Sequence, residues 1–187
     1  MENSLYKLRL EYWQKSYEQW ISQELFSFPW FFNVIFLAVL YVIWIKIVDK
    51  KRLRELLLFG SLLSVAAVLI DTIAVTVGLW EYKVSILPLS PAPFPFDYTV
   101  VPILYMIVLQ YTSTWRTYIT GALCAAGVFS FVVEPVYVWL GIKIFHNFNY
   151  FYMFILVFAV TVAIKAILKW IVRIELNNLG HKGSDHS

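Results

Sequence analysis

Long apolar runs alternate with short charged intervals along this chain, and the runs are longer than the core of a soluble domain requires. A helix needs about 20 mainly apolar residues, at about 1.5 Å of rise each, to cross a hydrocarbon layer. By that rule the pattern predicts membrane helices near Trp30–Val48, Leu56–Trp80, Asp97–Thr112, Tyr118–Leu140 and Phe148–Val172, the third being the shortest. Residues 3–25 follow a different pattern, with Leu10, Trp13, Tyr17, Trp20, Ile21 and Leu25 at helical spacing among polar neighbours. This predicts an amphipathic helix in the headgroup region, where Trp and Tyr are favoured, or one docked on the bundle rim or on a partner subunit.

The interval from Ser85 to Asp97 carries prolines at 88, 91, 93 and 95. Proline lacks an N–H and biases its predecessor toward extended backbone, which excludes a helix here. The segment stays apolar, so it is expected to lie across the outer mouth of the bundle as a lid, or to serve as a stiff connector. The predicted fold is an all-α integral membrane protein. It comprises an interfacial helix over residues 1–28, a five-transmembrane-helix bundle over 29–173, and a polar, disordered cytoplasmic tail over 174–187. No internal repeat, phosphate-binding loop, nucleophile elbow or nucleic-acid motif is evident.

Composition agrees with that class: 60% of residues are hydrophobic and only 14% charged, far from an ordinary soluble domain. The position of the bases matters more than the net charge of +3. Lys46, Lys50, Lys51, Arg52 and Arg54 crowd the first connection, and Arg116, Lys165, Lys169, Arg173 and Lys182 fall on the same side of a five-helix arrangement. Lys7, Arg9, Lys15, Lys83 and Lys143 fall on the other. Cytoplasmic loops carry the excess of Lys and Arg, so this asymmetry predicts the N-terminus outside and the C-terminus inside. No cleavable signal peptide is visible. The lone Cys124 provides no disulfide within the chain, and no metal site is expected.

Asp71 and Glu134 each stand inside an apolar run, where an ionisable side chain is costly and marks a bundle interior, a cavity or a partner. Steps of three and four from Asp71 pass through Gly60, Ser64, Ala67, Ala74 and Gly78; from Glu134 they pass through Thr120, Gly127, Ser130, Tyr137 and Gly141. Small residues mark faces where membrane helices approach closely, so both acids should face inward, with Ala67 and Gly127 intolerant of bulk. Both fall in the outer half of the layer under the predicted topology. Asp97 is expected to open the third helix from the outer side and Glu81 to close the second. The expected site is therefore one outer cavity that binds a ligand through Asp71, Asp97 and Glu134, walled by Trp80, Glu81, Tyr82 and Tyr137. Lys83 and Lys143 are assigned to outer loops, leaving no buried base at that depth. Such acids share a proton, hold a cation or donate hydrogen bonds to a ligand.

Two resemblances bear on these residues. The segments Asp71-Thr-Ile-Ala-Val-Thr-Val-Gly-Leu-Trp80-Glu-Tyr, Phe94-Pro-Phe-Asp97, Pro102-Ile-Leu-Tyr-Met106 and Glu134-Pro135-Val-Tyr-Val-Trp-Leu-Gly141 carry the first. Over roughly residues 30–172 the chain resembles a family of small multi-pass membrane proteins of spore-forming Gram-positive bacteria. That likeness implies a membrane fold and a bacterial plasma membrane, without an activity. The order Asp71, Gly78-Leu-Trp80, Pro95-Phe-Asp97 is more weakly similar to the lycopene cyclase membrane domain, whose proline-acid-acid motif has its first acid replaced here by Phe96. This second likeness implies a polyprenyl- or lipid-binding fold.

Three functions follow as expectations. The first is an acidic pocket for a lipid, an isoprenoid or a cation, in a sensor or a subunit of a larger assembly. The second is an isoprenoid-modifying enzyme using Asp71, Asp97 or Glu134 as general acid. The third is a proton- or cation-coupled transporter. Expected partners are membrane lipids, an isoprenoid ligand, and a second copy or another membrane subunit; the sequence names no cofactor.

Overall fold

The structure, a computed structural model, describes residues 2–88 and 96–184; the side chains of residues 2, 3, 96, 97, 176 and 178–184 lie outside the description. Helix α1 (Glu2–Gln19) runs into a π-helical turn at Trp20–Glu24. The chain then bends at Phe26, whose φ of 62° is rare for a bulky residue. Ser27 caps α2 (Phe28–Ile47) by accepting from the Trp30 N–H at 3.3 Å, with Pro29 in the first turn, where its missing N–H costs nothing. A short 3₁₀ turn leads into α3 (Leu53–Thr76), followed by strand β1 (Trp80–Tyr82). A second π-helical turn, Phe96–Val100, opens α4 (Val101–Tyr111). Helix α5 (Trp115–Val128) continues through a third π-helical turn, Phe129–Val133, into α6 (Glu134–Trp139). Strand β2 (Lys143–Phe145) and α7 (Tyr150–Ser184) complete the chain.

Among the described residues four helices, Phe28–Ile47, Lys50–Thr76, Trp115–Trp139 and Tyr150–Glu175, are long and apolar enough to cross a membrane. Large apolar side chains such as Ile35, Leu69, Ile73 and Trp139 are exposed on their outer faces. In water that exposure would be costly; in lipid it is the solvated face. The interior is held by close helix contacts and a few buried hydrogen bonds. Tyr118 on α5 is fully buried and bonds the Thr161 hydroxyl on α7 at 2.9 Å.

The two ends of the bundle differ. At the basic end Gln110 donates to the Ile47 carbonyl at 2.9 Å and accepts from the Asp49 N–H at 2.8 Å, while Arg52 donates to the Gln110 carbonyl at 3.0 Å. The last turn of α4 is thereby tied to the α2–α3 connection. At the other end α3 and α6 stop in the same way. The Leu79 and Gly78 N–H groups bond the Ala74 and Val75 carbonyls, and those of Ile142 and Gly141 bond the Tyr137 and Val138 carbonyls. Gly78 (φ 77°) and Gly141 (φ 68°) supply the left-handed residue that this helix ending requires. Each ending feeds a short strand, and β1 pairs with β2 antiparallel, with Trp80 opposite Phe145 and Tyr82 opposite Lys143.

Several expectations change. The bundle is mostly helical but not all-α, because of the two strands. The segment expected to form a disordered tail continues α7 as helix to Ser184. Helix α4, with the π-helical turn before it, is shorter than the four long helices, and Thr99 in that turn bonds the Tyr41 hydroxyl of α2 at 3.0 Å. Gly127 is not a tight contact, since a Cβ there would meet nothing within 4 Å. Gly60 and Gly121 are tighter: a Cβ would lie 2.6 Å from Met106 Sδ on α4 at the first and 3.0 Å from Val108 Cγ1 at the second. The proline segment is largely outside the described residues; its flank Ser85–Ile86 is anchored to Trp20, Glu24 and Trp30.

Candidate functional site

Asp71 lies one turn before the end of α3 and Glu134 opens α6, and both line one cavity of about 50 Å³. A single water needs about 10–15 Å³, so the cavity has room for several small atoms. Its remaining walls are mostly apolar: Leu63, Ala67 and Ile70 of α3, Val101 of α4, Phe129, and Met153, Leu156, Val157 and Val160 of α7. Trp80, Tyr82 and Lys143 reach in from the two strands.

Asp71 is 3% exposed, and its Oδ1 accepts from Trp80 Nε1 at 2.8 Å and from the Tyr82 hydroxyl at 2.7 Å. Glu134 is 1% exposed, and its Oε1 accepts from Lys143 Nζ at 2.8 Å. Lys143 is itself only 3% exposed, its ammonium 4.7 Å from the Trp80 ring centre, 5.4 Å from Tyr82 and 4.9 Å from Phe145. Aromatic faces attract a cation electrostatically, most strongly when it is desolvated. The second oxygens, Asp71 Oδ2 and Glu134 Oε2, are buried and have no hydrogen-bond partner.

Lys143 is therefore the residue that sequence reasoning misplaced. Assigned to an outer loop by polarity, it is drawn inward by the strand register. Glu81 also departs from expectation: half-exposed, it pairs with Lys83 at 2.6 Å and with His146 at 3.6 Å, outside the cavity lining. Lys83 holds its carboxyl below the usual carboxylate value. Tyr137 is buried beyond the lining residues, edge-on to Phe32 and Phe36 of α2. The Asp97 side chain lies outside the described residues. Of the expected set, Asp71, Glu134, Trp80 and Tyr82 come together.

A signal in the sequence could have found Lys143. Asp71–Lys83 and Glu134–His146 align without a gap: acid for acid, Ile73 with Val136, Val75 with Val138, Gly78 with Gly141, Leu79 with Ile142, Tyr82 with Phe145, and base for base. The structure repeats the likeness. Both acids bond a side chain nine residues on, Trp80 in one unit and Lys143 in the other. The hydrogen bonds Lys83 N–H to the Ile142 carbonyl and His146 N–H to the Leu79 carbonyl exchange under the same offset. A helix–glycine–strand piece thus occurs twice at this end of the bundle, and the strand pairing is symmetric under the same offset. The cavity lies between the two copies.

Fold and site together define a class: an integral membrane protein by the length and composition of its helices, with a mixed-charge cavity between two like units. No family model, no curated protein and no solved structure matches the chain.

Proposed function

We propose that this is a five-span protein of a bacterial plasma membrane, N-terminus outside and C-terminus inside, whose cavity binds a small ligand. The ligand class is a lipid or isoprenoid group or a cation, and the protein acts as a sensor or as a subunit of a larger assembly. The observation that carries this reading is the pair of buried, unpartnered carboxylate oxygens on one cavity. A buried polar atom without a partner costs about 1–3 kcal/mol, more when charged, and a purely structural tie would be expected to use both oxygens of each acid.

Five spans are supported by the path of the chain, which passes from β1 at the hairpin end to Gln110 at the basic end. The crowding of bases at that end supports its cytoplasmic placement. Cation- or proton-coupled transport is a second reading, favoured by the duplicated unit, since transporter sites often lie at repeat interfaces. A lycopene-cyclase-like enzyme would need a general acid, with Asp71 and Glu134 as the candidates on the cavity.

Identification by mass of species copurifying with the chain from its own membrane tests the binding reading. Asp71→Asn is expected to fold and lose them, because the amide is isosteric and its oxygen still accepts from Trp80 and Tyr82. An unchanged bound set in that variant refutes the reading.

A further inference from the structure

We infer that the cavity takes one small alkali cation, held between Asp71 Oδ2 and Glu134 Oε2, with the Lys143 ammonium as a tethered cation already in place beside it. The inference rests on the binding reading and narrows its ligand class.

The two copies of the repeated unit are not equivalent at the residue that bonds the acid. In one, Lys143 neutralises Glu134; in the other, Trp80 occupies the matching position and gives Asp71 a hydrogen bond but no positive charge. With all three groups ionised the cavity carries one net negative charge. An uncompensated charge is costly in a buried apolar site, so one further positive charge is called for. A divalent ion would overshoot. Two carboxylates supply only part of an alkali ion's coordination shell, and waters in the cavity complete it.

Geometry agrees. Asp71 and Glu134 both line the cavity, are 3% and 1% exposed, and each keeps one buried carboxylate oxygen without a hydrogen-bond partner. About 50 Å³ admits a small ion with a few waters. The charged and titratable groups facing the site are Asp71 from α3, Tyr82 from β1, Glu134 from α6 and Lys143 from β2, with Tyr137 beyond the lining. Helices α4 and α7 contribute only apolar walls. A proton on either acid supplies the same charge, so protons compete with the ion.

Radiolabelled sodium binding to the purified full chain in lipid nanodiscs tests this, with choline chloride holding ionic strength constant. Wild type is expected to bind saturably, one ion per chain, with affinity falling about tenfold per pH unit once protons dominate the site. Asp71→Asn neutralises the cavity and is expected to abolish binding while keeping the helical circular dichroism of wild type. Lys143→Gln leaves two negative charges and is expected to bind more tightly. Absence of saturable binding of sodium, lithium or potassium by wild type at any pH overturns the inference, as does binding that survives Asp71→Asn. A copurifying lipid lost in Asp71→Asn, with no cation binding in wild type, refutes this inference and leaves the binding reading standing.

Discussion

Replacing Lys143 with methionine separates the cost of a broken ion pair from the worth of the whole pair. At 2.8 Å and an effective dielectric of about 20, the gross attraction of Lys143 and Glu134 is about 6 kcal/mol. Desolvating the two ions costs several kcal/mol each, so the pair as a unit is close to neutral against an apolar replacement. Removing one partner is different, because it leaves a buried charge alone. Lys143→Met is expected to cost about 3–5 kcal/mol at neutral pH, and the cost should shrink in acid, where a proton takes the place of the ammonium. Glu134→Gln should cost less, since the flexible Lys143 stem allows its ammonium to swing toward the hairpin surface. The double variant should recover most of the loss, giving a coupling energy of at least about 2 kcal/mol. Reversible unfolding in mixed micelles, followed by circular dichroism, measures all four proteins. A single Lys143→Met change within about 0.5 kcal/mol of wild type, or a strictly additive double, would show that the pair is not a buried one.

Other consequences are open to equally direct tests. Gly60→Val should overpack the Met106 contact and cost about 1–3 kcal/mol, whereas Gly127→Ala, with open space around its Cβ, should be stabilising by up to about 1 kcal/mol through helix propensity; thermal unfolding in detergent ranks them. Burial pushes the Glu24 carboxyl above its ordinary value of 4.5, against the opposing pull of the Ser85 N–H and Gln19. A carboxyl raised in the folded state contributes stability that is full below its unfolded value and lost as pH rises through the folded one. Thermal stability in detergent should therefore be highest in acid and fall as pH rises through the folded value, and Glu24→Gln should flatten that dependence; an unchanged profile in the variant refutes it. In a Cys124→Ala background, an impermeant thiol reagent on intact cells should label a cysteine at Ser4 and not one at Ser184, and the reverse pattern sinks the proposed orientation.

Much of this was legible in the sequence, for reasons of scale. A run of some twenty apolar residues leaves few alternatives to a long apolar helix, so α2, α3, α5–α6 and α7 fall close to their expected positions. Asp71 and Glu134 stood out because burying an acid is expensive wherever it happens. The strands were missed because three residues carry too little periodicity to register, and Gly78 and Gly141 were counted as small packing residues when their role is a positive φ. Lys143 was misplaced because polarity places a lysine in water unless its partner is known, and its partner is supplied by the register of β2 beyond a helix ending. Gly127 shows the limit of a small-residue stripe: it marks a face that can approach a neighbour, while only the neighbour decides whether it does. Tyr137 and Glu81 were assigned by helical phase and proximity in sequence, and the turn at Gly78 redirects Glu81 away from the cavity.

The duplicated unit has a consequence for how such a site can diversify. Two separate copies of one helix–glycine–strand piece, paired about a two-fold axis, would present the same residue twice at every position, so an acid–lysine bond on one side would imply an identical bond on the other. Joining the copies in a single chain removes that restriction. Each side then varies alone, and the cavity between them becomes a place where Trp80 can face Lys143 and an odd charge can persist. The asymmetry that makes the cavity chemically interesting is thus available only because its two halves are covalently one molecule.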